Sequence, residues 1–226
     1  MNRNHSPLLL VSGQPGAGKT TLCIRVAALL REAGVSVGGL VSPARMEGGR
    51  KTGILARSLA SGEERLLAEA APGKTLGWER IYNLLGELPR EGRHQTRLGA
   101  VPSGAEPTIT DRTEADAVPP SEEHRFADRV PGWRFDEQVL RWGAGVIQLA
   151  AACDVLVVDE LGPLELRQGR GWLTALDILA ARRTGCALVV VRPSLVDEFR
   201  ARFSGREIEV VSAESNPERL VKRCMT

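Results

Sequence analysis

Excess charge, long apolar runs, aromatic residues and paired cysteines are all scarce in this sequence. Its 226 residues carry a net charge of only +2, which is not the strongly basic balance of a nucleic-acid-binding protein. The longest apolar runs are too short to cross a bilayer, and the run at residues 8–11 is too short for a signal peptide. We therefore expect a soluble, cytoplasmic protein, with no membrane contact and no strong sign of nucleic-acid binding.

The cysteines argue against two further classes of protein. Cys23, Cys153, Cys186 and Cys224 form no C-x-x-C pair, and no histidine lies at metal-ligand spacing from them. Three of them lie within or beside apolar segments, as small buried thiols do in a reducing compartment. We interpret them as buried thiols and not as a disulfide framework or a metal site.

What the sequence does contain is an alternation of strands and helices. Apolar runs, several of them continuous, predict strands at 7–11, 35–43, 154–159, 186–191 and 207–213. Apolar residues at helical spacing predict helices at 19–33, 135–154, 169–185, 194–205 and 216–224. The sequence thus predicts an α/β fold, with a mainly parallel sheet flanked by helices on both faces.

Two stretches depart from this alternation. Residues 44–68 contain glycine turns between short strand-like segments, which predict a short antiparallel extension at an edge of the sheet. Residues 86–131 are polar and rich in Pro and Gly, so we expect a long insertion or lid there, where a protein partner would bind. We treat residues 1–226 as one domain that contains this insertion, and the oligomeric state stays open.

The turn after the first strand carries the strongest motif. Residues 13–20, GQPGAGKT, match G-x-x-x-x-G-K-[ST], the phosphate-binding loop of P-loop proteins. Glycines let backbone N–H groups converge on phosphate oxygens, and the following helix directs its positive end at the same anion. Lys19 is predicted to reach the β- and γ-phosphates, and the Thr20 hydroxyl to hold Mg²⁺. The predicted nucleotide contacts are Gly13, Gln14, Pro15, Gly16, Ala17, Gly18, Lys19, Thr20 and Thr21.

The strand at 154–159 ends in two carboxylates. A carboxylate at the end of a strand near a phosphate-binding loop is suited to coordinate Mg²⁺, which is the predicted role of Asp159. Glu160 is next in the chain, and we expect it to orient or deprotonate the attacking water. Arg192 follows the strand at 186–191, which we expect to lie between the other two strands. We predict that Arg192 supplies a cation to the γ-phosphate, although an arginine that caps a helix or lies at the surface before Pro193 is an equally simple interpretation.

Three other residues are weaker candidates for the nucleotide-binding site. Arg45 lies after the second strand, where it faces the nucleotide, a partner or simply solvent. Trp133 and Phe135 have the flat rings needed to stack on a base, although core packing is the simpler interpretation of both.

Four stretches of the chain carry a family resemblance: GQPGAGKTTL, the run from GGLVSPAR to ERLLA, WRFDEQVLRWG and, most specifically, VVDELGPLEL. Together they resemble the P-loop nucleoside-triphosphatase family first described from thermophiles. The resemblance implies a RecA-like core of the additional-strand class, Mg²⁺ dependence, and slow hydrolysis of ATP, GTP and other triphosphates. It matches Glu165 to the second acidic position of the last motif. The chain departs from the family pattern at Pro43, where relatives often have Glu, and in its long insertion.

Three functions fit these motifs. The leading prediction is Mg²⁺-dependent hydrolysis of a nucleoside triphosphate to the diphosphate and phosphate, with Lys19, Glu160 and Arg192 as catalytic residues. A nucleotide or small-metabolite kinase would use the same loop, with the insertion as its lid, although a water-activating Glu160 argues against it. The third is a nucleotide-dependent switch or adaptor, because residues 159–162 fit D-x-x-G. The chain has no N-K-x-D motif, so a dedicated GTPase is not expected.

Overall fold

Parallel strands form one half of the sheet. The computed structural model describes residues 7–70, 126–130, 133–181 and 183–226. Within them, five strands pair in parallel, in the order β10–β1–β9–β8–β2. They are β1 (Leu8–Ser12), β2 (Val37–Val41), β8 (Val155–Leu161), β9 (Cys186–Val191) and β10 (Ile208–Ser212).

The other half of the sheet is antiparallel and continues from β2. The order across it is β2–β4–β5–β7–β6, and β3 pairs with β4 away from this path. Its strands are β3 (Ala44–Glu47), β4 (Arg50–Ser58), β5 (Glu64–Ala70), β6 (Phe126–Val130) and β7 (Trp133–Asp136). The predicted edge extension is therefore present, and the described residues give it five strands.

Helices cover both faces because the central strands are buried on both sides. In β1, Leu8 and Leu10 pack on one face while Leu9 and Val11 pack on the other, and all four are fully buried. The helices are α1 (Lys19–Glu32), α2 (Glu137–Ala150), α3 (Pro163–Leu166), α4 (Leu173–Ala180), α5 (Val196–Arg202) and α6 (Pro217–Met225). Helices α1 and α6 cover the face of Leu9; α2, α4 and α5 cover the other. Among these described helices, none is long and apolar enough to span a membrane.

The order of the parallel strands positions the site. Strand β9 lies between β1 and β8, which is the arrangement predicted for the additional-strand class. Because the strands are parallel, the loops that follow β1, β8 and β9 lie at the same edge of the sheet. The predicted fold class is confirmed, and this edge brings the phosphate-loop motif and the acidic motif together.

Two predicted helices begin too early. Residues 135 and 136 belong to strand β7 and not to a helix, because this strand pairs with β5 and β6. The Asp136 carboxylate then caps α2 by accepting from the N–H groups of Gln138 and Val139. The helix predicted at 169–185 is shorter, spanning Leu173–Ala180. Its start is delayed because Gly169 and Gly171 have left-handed backbone conformations, which do not continue a helix.

Two further predictions need correction at their boundaries. Strand β8 does not end at Asp159 but continues to Leu161, which pairs with Val191 of β9. The insertion predicted at 86–131 includes a strand, since Phe126–Val130 pairs with β7. The rest of that predicted insertion, at 86–125 and 131, lies outside the described residues.

Candidate active site

The phosphate-binding loop connects β1 to the first turn of α1. Gly16 and Gly18 have φ angles of +79° and +89°, a region that side chains with a Cβ rarely adopt. Gly18 is the residue before α1, so Lys19 and Thr20 form the first helical positions. The loop therefore directs the unpaired N–H groups of the helix start toward the edge of the sheet where the acidic residues lie.

Lys19 folds back over the loop. Its Nζ donates hydrogen bonds to the carbonyl oxygens of Gly13 and Gln14, at 2.7 and 2.8 Å. These contacts hold the ammonium beside the loop, where an entering phosphate group is positioned to replace the two carbonyl oxygens as its partner.

Asp159 is buried beside the start of α1. The Ser42 N–H, just after β2, donates to Asp159 Oδ2 at 3.1 Å, and the Ser42 hydroxyl donates to the Asp159 carbonyl oxygen. Burial raises the pKa of Asp159 to about 6, and hydrogen bonds from the Thr20 side chain and the Ser42 backbone oppose that rise. The carboxylate and the Thr20 hydroxyl are thus adjacent oxygen ligands of the kind that Mg²⁺ prefers.

Glu160 and Arg192 form an ion pair at the same edge. Arg192 Nε lies 2.6 Å from Glu160 Oε1, and both side chains are partly buried. The pair fixes the orientation of the Glu160 carboxylate, because a charge-assisted hydrogen bond of this length is directional.

One cavity of about 630 Å³ joins these residues, a volume within the range of small-molecule sites. Its polar wall includes Lys19, Thr20, Asp159, Glu160 and Arg192. Of the other predicted nucleotide contacts, the structure places Pro15, Gly16, Gly18 and Thr21 in its lining. Gly13, Gln14 and Ala17 complete the same loop, and Ala17 donates its N–H to the Gln14 carbonyl at 3.2 Å.

The weaker candidates separate into two groups. Trp133 and Phe135 line the cavity from β7, in the antiparallel half of the sheet. Arg45 lies on β3 and not on a loop, where it forms an exposed ion pair with Glu47 at 2.6 Å. Pro43, the position where the family pattern often has Glu, also lines the cavity.

The sequence analysis did not predict Ser42 and Lys51 as site residues, and it assigned no role to Glu165. Glu165 is structural: its two carboxylate oxygens accept from the Gly162 and Trp172 N–H groups, at 2.9 and 3.0 Å. The first of these bonds caps α3, and Pro163 followed by an acid two residues later is a sequence signal for such a cap. Ser42 and Lys51 carry no local signal, because each reaches the site through the pairing of distant strands.

The order of the strands and the loop after β1 define a P-loop protein. A sequence model of the family described as NTPase matches residues 8–96. The archaeal relatives of this chain are named nucleoside-triphosphatase THEP1, in agreement with the resemblance that its motifs indicate.

Three relatives and one solved structure describe this similarity. The chain is 43% identical to nucleoside-triphosphatase THEP1 of Methanopyrus kandleri over 75 residues, which are 33% of this chain and 42% of that protein. It is 29% identical to the Thermofilum pendens protein of the same name over 158 residues, 70% of this chain and 59% of the relative. The matched segments thus span about half the length of these two relatives. The Methanosarcina acetivorans protein is 22% identical, with 95% of each chain covered.

The solved structure supports the fold. The solution structure of a human cancer-related nucleoside triphosphatase aligns with 98% of this chain and 95% of its own, at a TM-score of 0.50. Its sequence identity is 21%, so this likeness concerns the fold alone.

Proposed function

We propose that this chain hydrolyses nucleoside triphosphates to the diphosphate and phosphate, with Mg²⁺ as cofactor. One observation carries the proposal: a single cavity is lined by Lys19 and Thr20 of the phosphate-binding loop and by Asp159 and Glu160 of β8. Phosphate-binding groups alone would fit any P-loop protein. The adjacent acid, oriented beside the γ-phosphate position, favours attack by water.

Each residue then has a distinct role. The Lys19 ammonium leaves the carbonyl oxygens of Gly13 and Gln14 and binds β- and γ-phosphate oxygens. Glu160 orients the attacking water and accepts its proton, while Arg192 holds the Glu160 carboxylate in place from the other side. The Arg192 guanidinium adds positive charge where negative charge develops during phosphoryl transfer.

The side chains present fit a magnesium ion. The Thr20 hydroxyl and the Asp159 carboxylate are hard oxygen ligands, and a hydrogen bond links them. When bound there, Mg²⁺ would offset part of the negative charge of the phosphates. The Ser42 N–H, which donates to Asp159, keeps this carboxylate oriented toward Thr20.

A phosphate-release assay tests the proposal. The wild-type chain is incubated with Mg²⁺ and ATP, GTP, CTP or UTP, with no added acceptor. We expect sustained phosphate release, which Lys19→Ala removes together with nucleotide binding. Glu160→Gln is expected to keep nucleotide binding and to lose turnover by about two orders of magnitude or more, because an amide does not accept the proton of the attacking water.

Glu63→Gln is the matched control for the second variant. Glu63 lies in the turn before β5, where it forms an exposed ion pair with Arg65. This change removes a carboxylate of the same kind and should leave turnover unchanged. Nucleotide binding without phosphate release by the wild type, or full turnover by Glu160→Gln, would contradict the proposal.

A kinase is the second candidate, because one wall of the cavity is apolar. Ile54, Leu67 and Phe135 of the antiparallel strands and Leu140 of α2 line it. This wall offers room for a phosphoryl acceptor. Phosphate transfer to an added nucleoside monophosphate, with no release in its absence, would favour the kinase.

A further inference from the structure

The two acids of β8 lie at an irregularity in the pairing of that strand. Its register with β2 runs from Val155 to Val158 and stops there, and its register with β9 passes from Val158 directly to Leu161. Among the described strands, β2 and β9 are the neighbours of β8. The regular ladder that holds the rest of the strand therefore does not include Asp159 and Glu160, and their position depends on other contacts.

Ser42 supplies two such contacts from the residue that follows β2. Its N–H donates to Asp159 Oδ2 at 3.1 Å, and its hydroxyl donates to the Asp159 carbonyl oxygen. One serine thus holds both the side chain and the main chain of Asp159. The carbonyl oxygen belongs to the peptide group that joins Asp159 to Glu160, so the same contact also limits movement of the second acid.

The peptide group between the two acids determines where each carboxylate points. The Asp159 carboxylate accepts a hydrogen bond from the Thr20 side chain. Glu160 Oε1 lies instead 2.6 Å from Arg192 Nε. A rotation of the peptide group between the acids would change both directions at once. Ser42 is partly buried in the wall of the same cavity, where a hydrogen bond is stronger than in water.

We propose that Ser42 is a positioning residue, whose hydroxyl keeps the Asp159 carboxylate directed toward Thr20 and the Glu160 carboxylate directed toward Arg192. The inference rests on the proposed function, in which these acids serve magnesium and water. The hydroxyl is the part that serine contributes, because any residue other than proline retains the N–H. Loss of a hydrogen-bond partner of a metal ligand typically lowers metal affinity or activity by about 10- to 100-fold.

Ser36 provides a matched control at the other end of β2. Its N–H and its hydroxyl both donate to Asp154 Oδ2, at 3.1 and 2.6 Å, just before β8 begins. Ser36 and Ser42 therefore join the same two strands by similar bonds, but at opposite ends of β2. Weaker strand pairing alone would affect both alanine variants in the same way, whereas a loss of positioning appears only in Ser42→Ala.

Calorimetry with a non-hydrolysable ATP analogue, in Mg²⁺ or in EDTA, tests the inference without turnover. We expect Mg²⁺ to strengthen binding of the analogue to the wild type, and Ser42→Ala to reduce this strengthening by about tenfold. Ser36→Ala should show the wild-type effect of Mg²⁺. Ser42→Thr keeps a hydroxyl on the same carbon, so it should restore the effect to within about threefold of wild type.

Steady-state kinetics at saturating Mg²⁺ and nucleotide supply the second measurement. Ser42→Ala should lower kcat by about tenfold or more, Ser42→Thr should recover most of this loss, and Ser36→Ala should leave kcat unchanged. Urea denaturation shows whether each variant is folded. If Ser42→Ala is not, Ser42→Cys replaces it in both assays with the same expected losses, because a thiol is only a weak donor.

Two results would overturn the inference. One is a wild-type kcat together with a wild-type effect of Mg²⁺ in Ser42→Ala. The other is an equal loss in Ser42→Ala and Ser36→Ala, which would assign both serines to strand pairing alone. The proposed function is judged separately, by phosphate release from the wild type and its loss in Glu160→Gln.

Discussion

The carboxylate of Glu165 joins two segments next to the active site, and Gly171 is the residue that makes room for it. Glu165 accepts from the Trp172 N–H at 3.0 Å and from the Gly162 N–H at 2.9 Å. A Cβ added at Gly171 would overlap Glu165 Oε1 and would lie 2.8 Å from its Cδ. We therefore predict that Gly171→Ala displaces the carboxylate and removes its bond to Trp172.

Gly169→Ala is the matched control for the loss of stability that Gly171→Ala causes. Both glycines have positive φ, +75° at 171 and +62° at 169, so alanine is strained by about 1 kcal/mol at either position. At Gly169 an added Cβ meets no described atom within 4 Å. At Gly171 the lost hydrogen bond leaves a buried N–H without its acceptor, which costs about 1–3 kcal/mol more. The free energy of unfolding is therefore expected to fall by about 2–4 kcal/mol in Gly171→Ala and by about 1 kcal/mol in Gly169→Ala.

Urea denaturation followed by tryptophan fluorescence measures both losses. Because neither change alters the amount of surface exposed on unfolding, the slopes should agree and only the midpoints should differ. Equal destabilisation by the two substitutions would refute the reasoning, since backbone strain alone would then account for both. An unchanged midpoint for Gly171→Ala would show that Glu165 moves at no cost.

Three further predictions follow from burial and capping. Burial raises the pKa of Glu165 to about 7, so the free energy of unfolding should decrease as pH rises from about 4.5 to 7. Urea denaturation across this range should show that Glu165→Gln makes the decrease smaller by about 3 kcal/mol, and parallel profiles of the two proteins would contradict this. Asp136→Ala should lower the free energy of unfolding by about 1 kcal/mol, as measured by thermal denaturation. Asp136→Asn should lower it much less, because asparagine also caps a helix. On that helix, Ile147→Ala should lower the free energy of unfolding by about 2–5 kcal/mol, because Ile147 is fully buried. Leu149→Ala should lower it by less than about 0.5 kcal/mol, because Leu149 is 79% exposed, and chemical denaturation measures both changes.

The features that sequence predicted well depend on neighbouring residues. The strand at 186–191 has the predicted bounds, because a continuous apolar run between Gly185 and Pro193 leaves little alternative once both faces are buried. The start of α1 at Lys19 follows from the phosphate-loop motif, which places a left-handed glycine directly before the helix. In contrast, Phe135 and Asp136 continue a helical pattern in the sequence, and they become part of a strand only because β5 and β6 lie beside β7.

The sequence by itself determined the phosphate-binding loop, the acidic pair and the class of fold. Each of these depends on residues that are adjacent along the chain or that repeat at a fixed spacing. Tertiary structure alone decided which side chains stand beside them. Strand β2 pairs with β8 on one side and with β4 on the other, which brings Ser42 to Asp159 and Lys51 to the same cavity. Such pairing is fixed by burial of whole faces of the sheet, and no short stretch of sequence encodes it.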